Sequence, residues 1–303
     1  MMKILRCFRC PAFAGHDEKN VISRLICGIS CILLLLAPVA ADACTAVIIS
    51  GRVRPDGKPL MFKHRDTSNS DNSIEWFRGE KYAFLGLVNR DWRTNPVAKN
   101  TGGRPEVWSG RNEVGFCIIN TATYDLKDDR VPMSEMDREG LVMYRALEIC
   151  RTTADFEHFL DTLARPMGVE ANFGVIDADG GAAWYEVNNR KWTKFDVNEE
   201  PSGYRVVTNF TFTGRKKDRK GVDRYEKACS ILASTEVPVA GWDHRFLIDN
   251  ISLSGAPILR DISASVIIFE GDRTFACLGR PDRVGCEEFY LPERKKCDYT
   301  CIR

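Results

Sequence analysis

Residues 41–49 read Ala41-Asp42-Ala43-Cys44-Thr45-Ala46-Val47-Ile48-Ile49. Two patterns meet at Cys44. Ala41-x-Ala43 has the small-x-small form of a leader cleavage site. Cys44 to Ile49 is short and rich in β-branched residues, which is strand material. A cut before Cys44 leaves a strand that opens on a cysteine, with thiol and free amine on one residue.

The upstream residues agree with such a cut. Residues 25–37, LICGISCILLLLA, form an apolar run of 13. A mature spanning helix needs about 20 apolar residues, whereas 13 suits the h-region of a secretory signal peptide. Arg6, Arg9, Lys19 and Arg24 precede the run and Pro38 ends it. The n-region is long, and Val21 is an alternative start. The expected organisation is a signal peptide over 1–43 and a single domain over 44–303, long enough for one sizeable core. The expected location is periplasmic or secreted, with no membrane association after leader removal.

Charge excludes some partners. The chain has 43 basic and 42 acidic residues, and residues 1–43 hold five and three of them, so the balance survives leader removal. Such balance gives no support for nucleic-acid binding. Arg215-Lys216-Lys217 with Arg219 and Lys220 reads as a solvated loop. Of twelve cysteines, Cys7, Cys10, Cys27 and Cys31 belong to the leader. Cys277, Cys286, Cys297 and Cys301 cluster near the end, where export permits one or two disulfides. Cys297-x3-Cys301 lacks a nearby histidine to complete a zinc set. No metal and no cofactor are expected.

Downstream of Cys44, Arg52 to Gly57 supplies turn chemistry, with Asp56-Gly57 its strongest signal. Pro59 to Lys63 reads as the returning strand. Residues 67–80 are polar and read as a loop. Strands are expected over 81–89, 115–120, 171–177, 182–187, 204–209, 266–270 and 274–278. The spacing of Leu141, Tyr144, Ala146, Leu147 and Cys150 predicts a helix over 139–150. Thr152-x-x-Asp155 resembles a capping box opening a second helix through Leu163. A third is expected over 224–233. Strand groups around a helical stretch argue α+β rather than alternating βαβ.

A cysteine after a cleavage site is either a lipid anchor or a nucleophile. Asp42 sits badly in a lipoprotein leader, and TAVII is a strand rather than a polar tether. A non-catalytic lipid-anchored protein is therefore the lesser reading. As a nucleophile, the thiol has a base at hand. A free α-amino group has a pKa of about 7.7–8.0 and can take the thiol proton itself. No histidine is required. His158 lies in an amphipathic helix, His244 in a loop, and strand alternation turns His64 away from residues 63 and 65.

Several separated motifs then resemble the N-terminal-nucleophile hydrolases of the choloylglycine hydrolase and penicillin acyltransferase-related group. Cys44-Thr45 followed by a strand is similar to the group's opening Cys-Thr. Lys63-His64-Arg65-Asp66 is similar to its Arg-Asn-x-Asp, with Lys63 departing from Arg. Arg65 is the other basic candidate, though its strand parity counts against it. Asn112-Glu113-Val114-Gly115 resembles Asn-Glu-x-Gly, with Asn112 read as a turn residue. Val206-Val207-Thr208-Asn209 resembles the apolar-x-Thr-Asn signature, and Asp223-Arg224-Tyr225 resembles Ser-Arg-Phe. The sequon Asn209-Phe210-Thr211 is then accidental.

The resemblance implies a four-layer αββα fold and a linear-amide hydrolase acting through Cys44. It implies that Asp66 positions the Cys44 amine, that Asn209 supports the oxyanion, and that Lys63 and Arg224 keep the site positive. Asn120 is the nearest candidate for a second oxyanion donor, since Ala122 stands at the group's own position. The partner is a small-molecule amide, and a homo-oligomer is usual for the group. An acyltransferase of the same fold is the alternative. Trp76 and Phe77 in the 67–80 loop are expected to wall an acyl pocket.

Overall fold

Strand β1 (Ala43–Ile49) is buried at every position, and so is β2 (Leu60–Asp66). Such strands need cover on both faces. In the computed structural model, which describes residues 43–94 and 103–291, a helical layer covers one face and a second sheet the other. The described residues fall in one compact unit, Ala40–Arg303.

The remaining strands are β3 (Asn72–Phe77), β4 (Phe84–Asn89), β5 (Ser109–Asn112), β6 (Cys117–Ala122), β7 (Ala171–Ile176), β8 (Ala182–Val187), β9 (Trp192–Asp196), β10 (Tyr204–Val207), β11 (Ser263–Glu270), β12 (Arg273–Cys277) and β13 (Glu287–Phe289). The helices are α1 (Glu139–Ile149), α2 (Thr153–Thr162), α3 (Val222–Ser234) and the short α4 (His244–Leu247). One antiparallel sheet runs β10-β1-β2-β11-β12-β13 and the other β3-β4-β5-β6-β7-β8-β9.

Side-chain alternation sorts the apolar residues into three cores. Val47, Ile49, Leu60, Phe62 and Ile268 face Ala228 and Leu232 of α3. Ala46, Ile48, Met61 and Ile267 face Ile119, Ile176 and Trp184 between the sheets. Phe84, Ile118, Phe173 and Tyr185 face Leu147 of α1 and Phe156 of α2. The order helix, sheet, sheet, helix is the four-layer αββα arrangement that the resemblance implied.

The Thr152 capping box forms with both of its hydrogen bonds and opens α2. Asn112 closes a turn as expected. Its Oδ1 accepts from the Val114 and Phe116 N–H groups, and its Nδ2 donates to the Leu147 and Cys150 carbonyls at the end of α1. Residues 67–80 differ from expectation, because they contain β3. That strand pairs on one side only, with β4, and most of its positions are partly exposed. An edge strand needs no continuous apolar run, so its polar sequence hid it. Strands β5, β9 and β13 were likewise unexpected and are short. Cys277 pairs with Cys286. Of the signal-peptide reading over 1–43, residues 1–42 lie outside the described residues, as do the cysteines Cys297 and Cys301, while Ala43 is the first residue of β1. No helix among the described residues is long and apolar enough to cross a membrane.

Candidate active site

Cys44 sits near the start of β1, where its strand is clamped between β2 and β10. Directly opposite residues of an antiparallel pair share a face. Cys44 pairs with Arg65 and Ala46 with Lys63, so these cations and the thiol lie together between the sheets. The parity objection to Arg65 is thereby corrected. Residues two apart face the same way, and Arg65 is the direct cross-strand neighbour of Cys44.

Both main-chain groups of Cys44 are held by side chains. Its N–H donates to Asn209 Oδ1 at 2.7 Å. Its carbonyl accepts from Arg224 Nη1. Arg224 Nη2 donates to the same Asn209 Oδ1 at 2.8 Å. Two donors converge on one atom, so that atom is the amide oxygen and the orientation of Asn209 is fixed by chemistry. Asn209 Nδ2 donates to the Ala122 carbonyl at 2.6 Å, leaving its second hydrogen without an acceptor among the described residues. Arg224 reaches the site from the first turn of α3. The N-cap there, Gly221, has a φ of 74°, and a Cβ on it would lie 2.2 Å from Arg224 Nη2.

Lys63 Nζ donates to the Trp108 carbonyl at 2.7 Å and to Asn120 Oδ1 at 2.8 Å. Lysine only donates, so Asn120 turns its oxygen to Lys63 and its NH₂ group is free to point elsewhere. Arg65 donates to Asn72 Oδ1 at 2.6 Å and stacks over Trp108, 5.1 Å from the ring centroid. Burial pushes the Cys44 thiol up. Lys63, Arg65 and Arg224 pull it down, while Asp66 adds to the rise; the net shift is upward. A thiol in that state needs a base to become a nucleophile.

Asp66 occupies the other face of β2, paired across from Ala43 and thus beside the Ala43–Cys44 peptide. Its Oδ2 accepts from Arg260 Nη2 at 2.7 Å and its Oδ1 from Ser263 Oγ at 2.7 Å. His64 Nε2 lies 2.8 Å from Ser263 Oγ and 3.2 Å from Asp66 Oδ1. The serine proton goes to Asp66, so His64 Nε2 carries a proton. Burial raises the Asp66 carboxyl, but the bond and charge of His64, the charge of Arg260 and the bond from Ser263 outweigh it. They hold the carboxyl below its ordinary value.

Of the expected residues, Cys44, Asn209 and Arg224 form one hydrogen-bonded group, and Lys63 and Asn120 form another on the same inter-sheet face. Asp66 stands apart, on the helical side. Arg260 and Ser263 were missed. They lie 194 and 197 residues from Asp66 in sequence, and nothing local marks them. Asn172 and Thr121 were missed too. They hold the Thr208 and Phe210 carbonyls, which carry Asn209 between them. Phe77 does not wall the site: it packs on Phe84 and Tyr144 in the α1-side core. Trp76 is half exposed on the edge strand. His158 is exposed, and His244 pairs with Glu270 at the opposite end of the sheet.

No family model matches the chain, and no curated protein matches it. Solved structures do. A Caenorhabditis elegans N-acylethanolamine-hydrolyzing acid amidase ortholog aligns with a TM-score of 0.54 at 14% identity, covering 82% of this chain and 100% of that one. A variant of the conjugated bile acid hydrolase from Clostridium perfringens aligns with a TM-score of 0.54 at 12% identity, covering 82% and 92%. Penicillin V acylase from Agrobacterium tumefaciens aligns with a TM-score of 0.52 at 12% identity, covering 82% and 87%. Identities this low establish architecture alone, and the chain has the α+β, four-layer αββα fold that these structures share.

Proposed function

We propose that this protein is an exported hydrolase of linear amides whose nucleophile is Cys44, exposed as a new N-terminus by removal of residues 1–43. The observation that carries the reading is the grip of Asn209 and Arg224 on Cys44. Together they hold the nitrogen and carbonyl of one buried cysteine at a strand start, beneath two further cations.

In this reading the free Cys44 amine takes the thiol proton, and the thiolate attacks the amide carbonyl. Asn209 Oδ1 fixes the direction of the amine, and Asp66 stands beside it on the helical side. The unused hydrogen of Asn209 Nδ2 and the Asn120 NH₂ group donate to the oxyanion. One such donor is typically worth about 2.7–4 kcal/mol in the transition state. The amine then returns its proton to the leaving amine as the thioester forms. Water attacks the thioester, releasing a carboxylic acid and restoring the thiol. Lys63, Arg65 and Arg224 stabilise the thiolate in this buried setting.

The test is to express the whole precursor, isolate the exported form, and determine its N-terminus and intact mass. Turnover is then screened with N-acylethanolamines, conjugated bile acids and penicillin V, against a Cys44→Ala variant. The expected result is an unmodified Cys44 at the N-terminus and hydrolysis that Cys44→Ala abolishes. A diacylglyceryl mass on Cys44, or a retained leader with undiminished activity, overturns the proposal.

A further inference from the structure

At the end of the sheets remote from Cys44, the space between them opens into two cavities that share Arg111 and Asp272 in their walls. One is about 120 Å³ and the other about 220 Å³. The register places them: Leu60 pairs with Ile49 and Glu270, five residues along β1 from Cys44. At about 3.3 Å per residue that is roughly 16 Å from the nucleophile.

Arg111 is the unusual group here. Its neighbour Gly110 faces Leu147 on the helical side, so Arg111 points between the sheets. Its Nη1 is buried with no hydrogen-bond partner, and no carboxylate lies within ion-pair distance among the described residues. The nearby acids do not supply one. Asp177 is committed to the N–H groups of Thr153, Asp179 and Gly181. Asp272 is exposed at the β11–β12 turn. Cys117 stays a neutral thiol, pushed up to about 12 by burial against the pull of Arg111. Arg111 as a whole is half-buried, but a guanidinium with one nitrogen shut away from water and no protein partner is under-satisfied until an anion pairs with it. Pro59, Cys117, Ile176 and Ala178 give the cavity an apolar wall, and Lys58 adds a second cation.

We propose that this cavity is a second binding site, taking a small aliphatic carboxylate. The carboxylate meets Arg111, whose planar fork matches two oxygens. The short alkyl chain lies on the apolar wall. Asp177 and Asp272 disfavour an anion of higher charge, so a carboxylate fits better than phosphate.

The probe is sodium butyrate, with butyramide as its uncharged counterpart. Both are titrated into the full chain and into Cys44→Ala, with thermal unfolding and calorimetry as readouts. Butyrate raises the unfolding midpoint of both proteins equally, and butyramide does not. Arg111→Met weakens butyrate binding more than tenfold, and without ligand it unfolds at the wild-type temperature or above. Four outcomes overturn the site: no saturable butyrate binding, binding that survives Arg111→Met, phosphate binding tighter than butyrate, or a folded but less stable Arg111→Met. Should that variant not fold, butyrate against butyramide on the wild type decides.

Discussion

Asn209 ties three parts of the site together: its oxygen accepts from the Cys44 N–H and from Arg224, and its nitrogen donates to the Ala122 carbonyl. Asn209→Ala removes all three bonds and one proposed oxyanion donor together. Activity should fall roughly 10²- to 10³-fold in kcat, the range for loss of such a donor, with KM little changed. Steady-state kinetics on the best amide substrate measures both, and a change confined to KM contradicts the assigned role. Gly221 acts one step further out. Its positive φ disfavours any side chain, and a Cβ there meets Arg224 Nη2 at 2.2 Å. Gly221→Ala is expected to cost about 1 kcal/mol or more in stability, by the usual penalty for alanine at positive φ. It should also lower kcat, because Arg224 must leave its bonds to Asn209 and the Cys44 carbonyl. Wild-type kcat in a folded Gly221→Ala would show that Arg224 has no part in the chemistry.

At the scale of elements, the strands that build the site were the most legible. The β1–β2 hairpin, the end of β10 and the start of α3 each carry an apolar period and a local turn or motif. They place Cys44, Lys63, Asn209 and Arg224. The face of Asp66 also follows from parity, but its partners do not. Arg260 comes from the turn before β11 and Ser263 opens that strand, and only the β2–β11 pairing brings them there. Edge strand β3 was hidden because one-sided pairing demands little of sequence. Helix α2 was legible from its cap: Thr152 Oγ1 accepts from the Asp155 N–H, and Asp155 returns the bond to Thr152. Thr152→Ala should destabilise the protein by about 1 kcal/mol, the usual value of an N-cap. Because α2 packs on the sheet face remote from Cys44, kcat should not change. Urea unfolding alongside turnover separates the two effects.

For the molecule as a whole, the acids predict a stability that favours mildly acidic solution. Glu106 packs against Gly140 at the N-terminus of α1, and Glu139 accepts the Glu170 N–H at 2.8 Å. Burial, with Asp137 adding and Arg65 opposing, lifts Glu106 to about 7. Burial also lifts Glu139 to about 7, against backbone hydrogen bonds and with Asp137 and Glu106 adding. In the unfolded chain both titrate near 4.3. The folded state therefore holds more protons between those values, and their contribution is complete below about 4.3 and lost as pH rises toward 7. Asp66 works in the opposite sense. Its folded carboxyl lies below its ordinary value, so its contribution is present above about 3.9 and lost as pH falls through the depressed value. The two effects leave a maximum on the acid side of neutrality. The urea midpoint should be higher at pH 5 than at pH 8, and Glu106→Gln or Glu139→Gln should each shrink that difference. Asp66→Asn should leave it intact while removing the loss at lower pH, because its titration lies outside the window. A pH 5 to pH 8 difference unchanged by either glutamine would place the titrating protons elsewhere than this seam between α1 and the seven-stranded sheet.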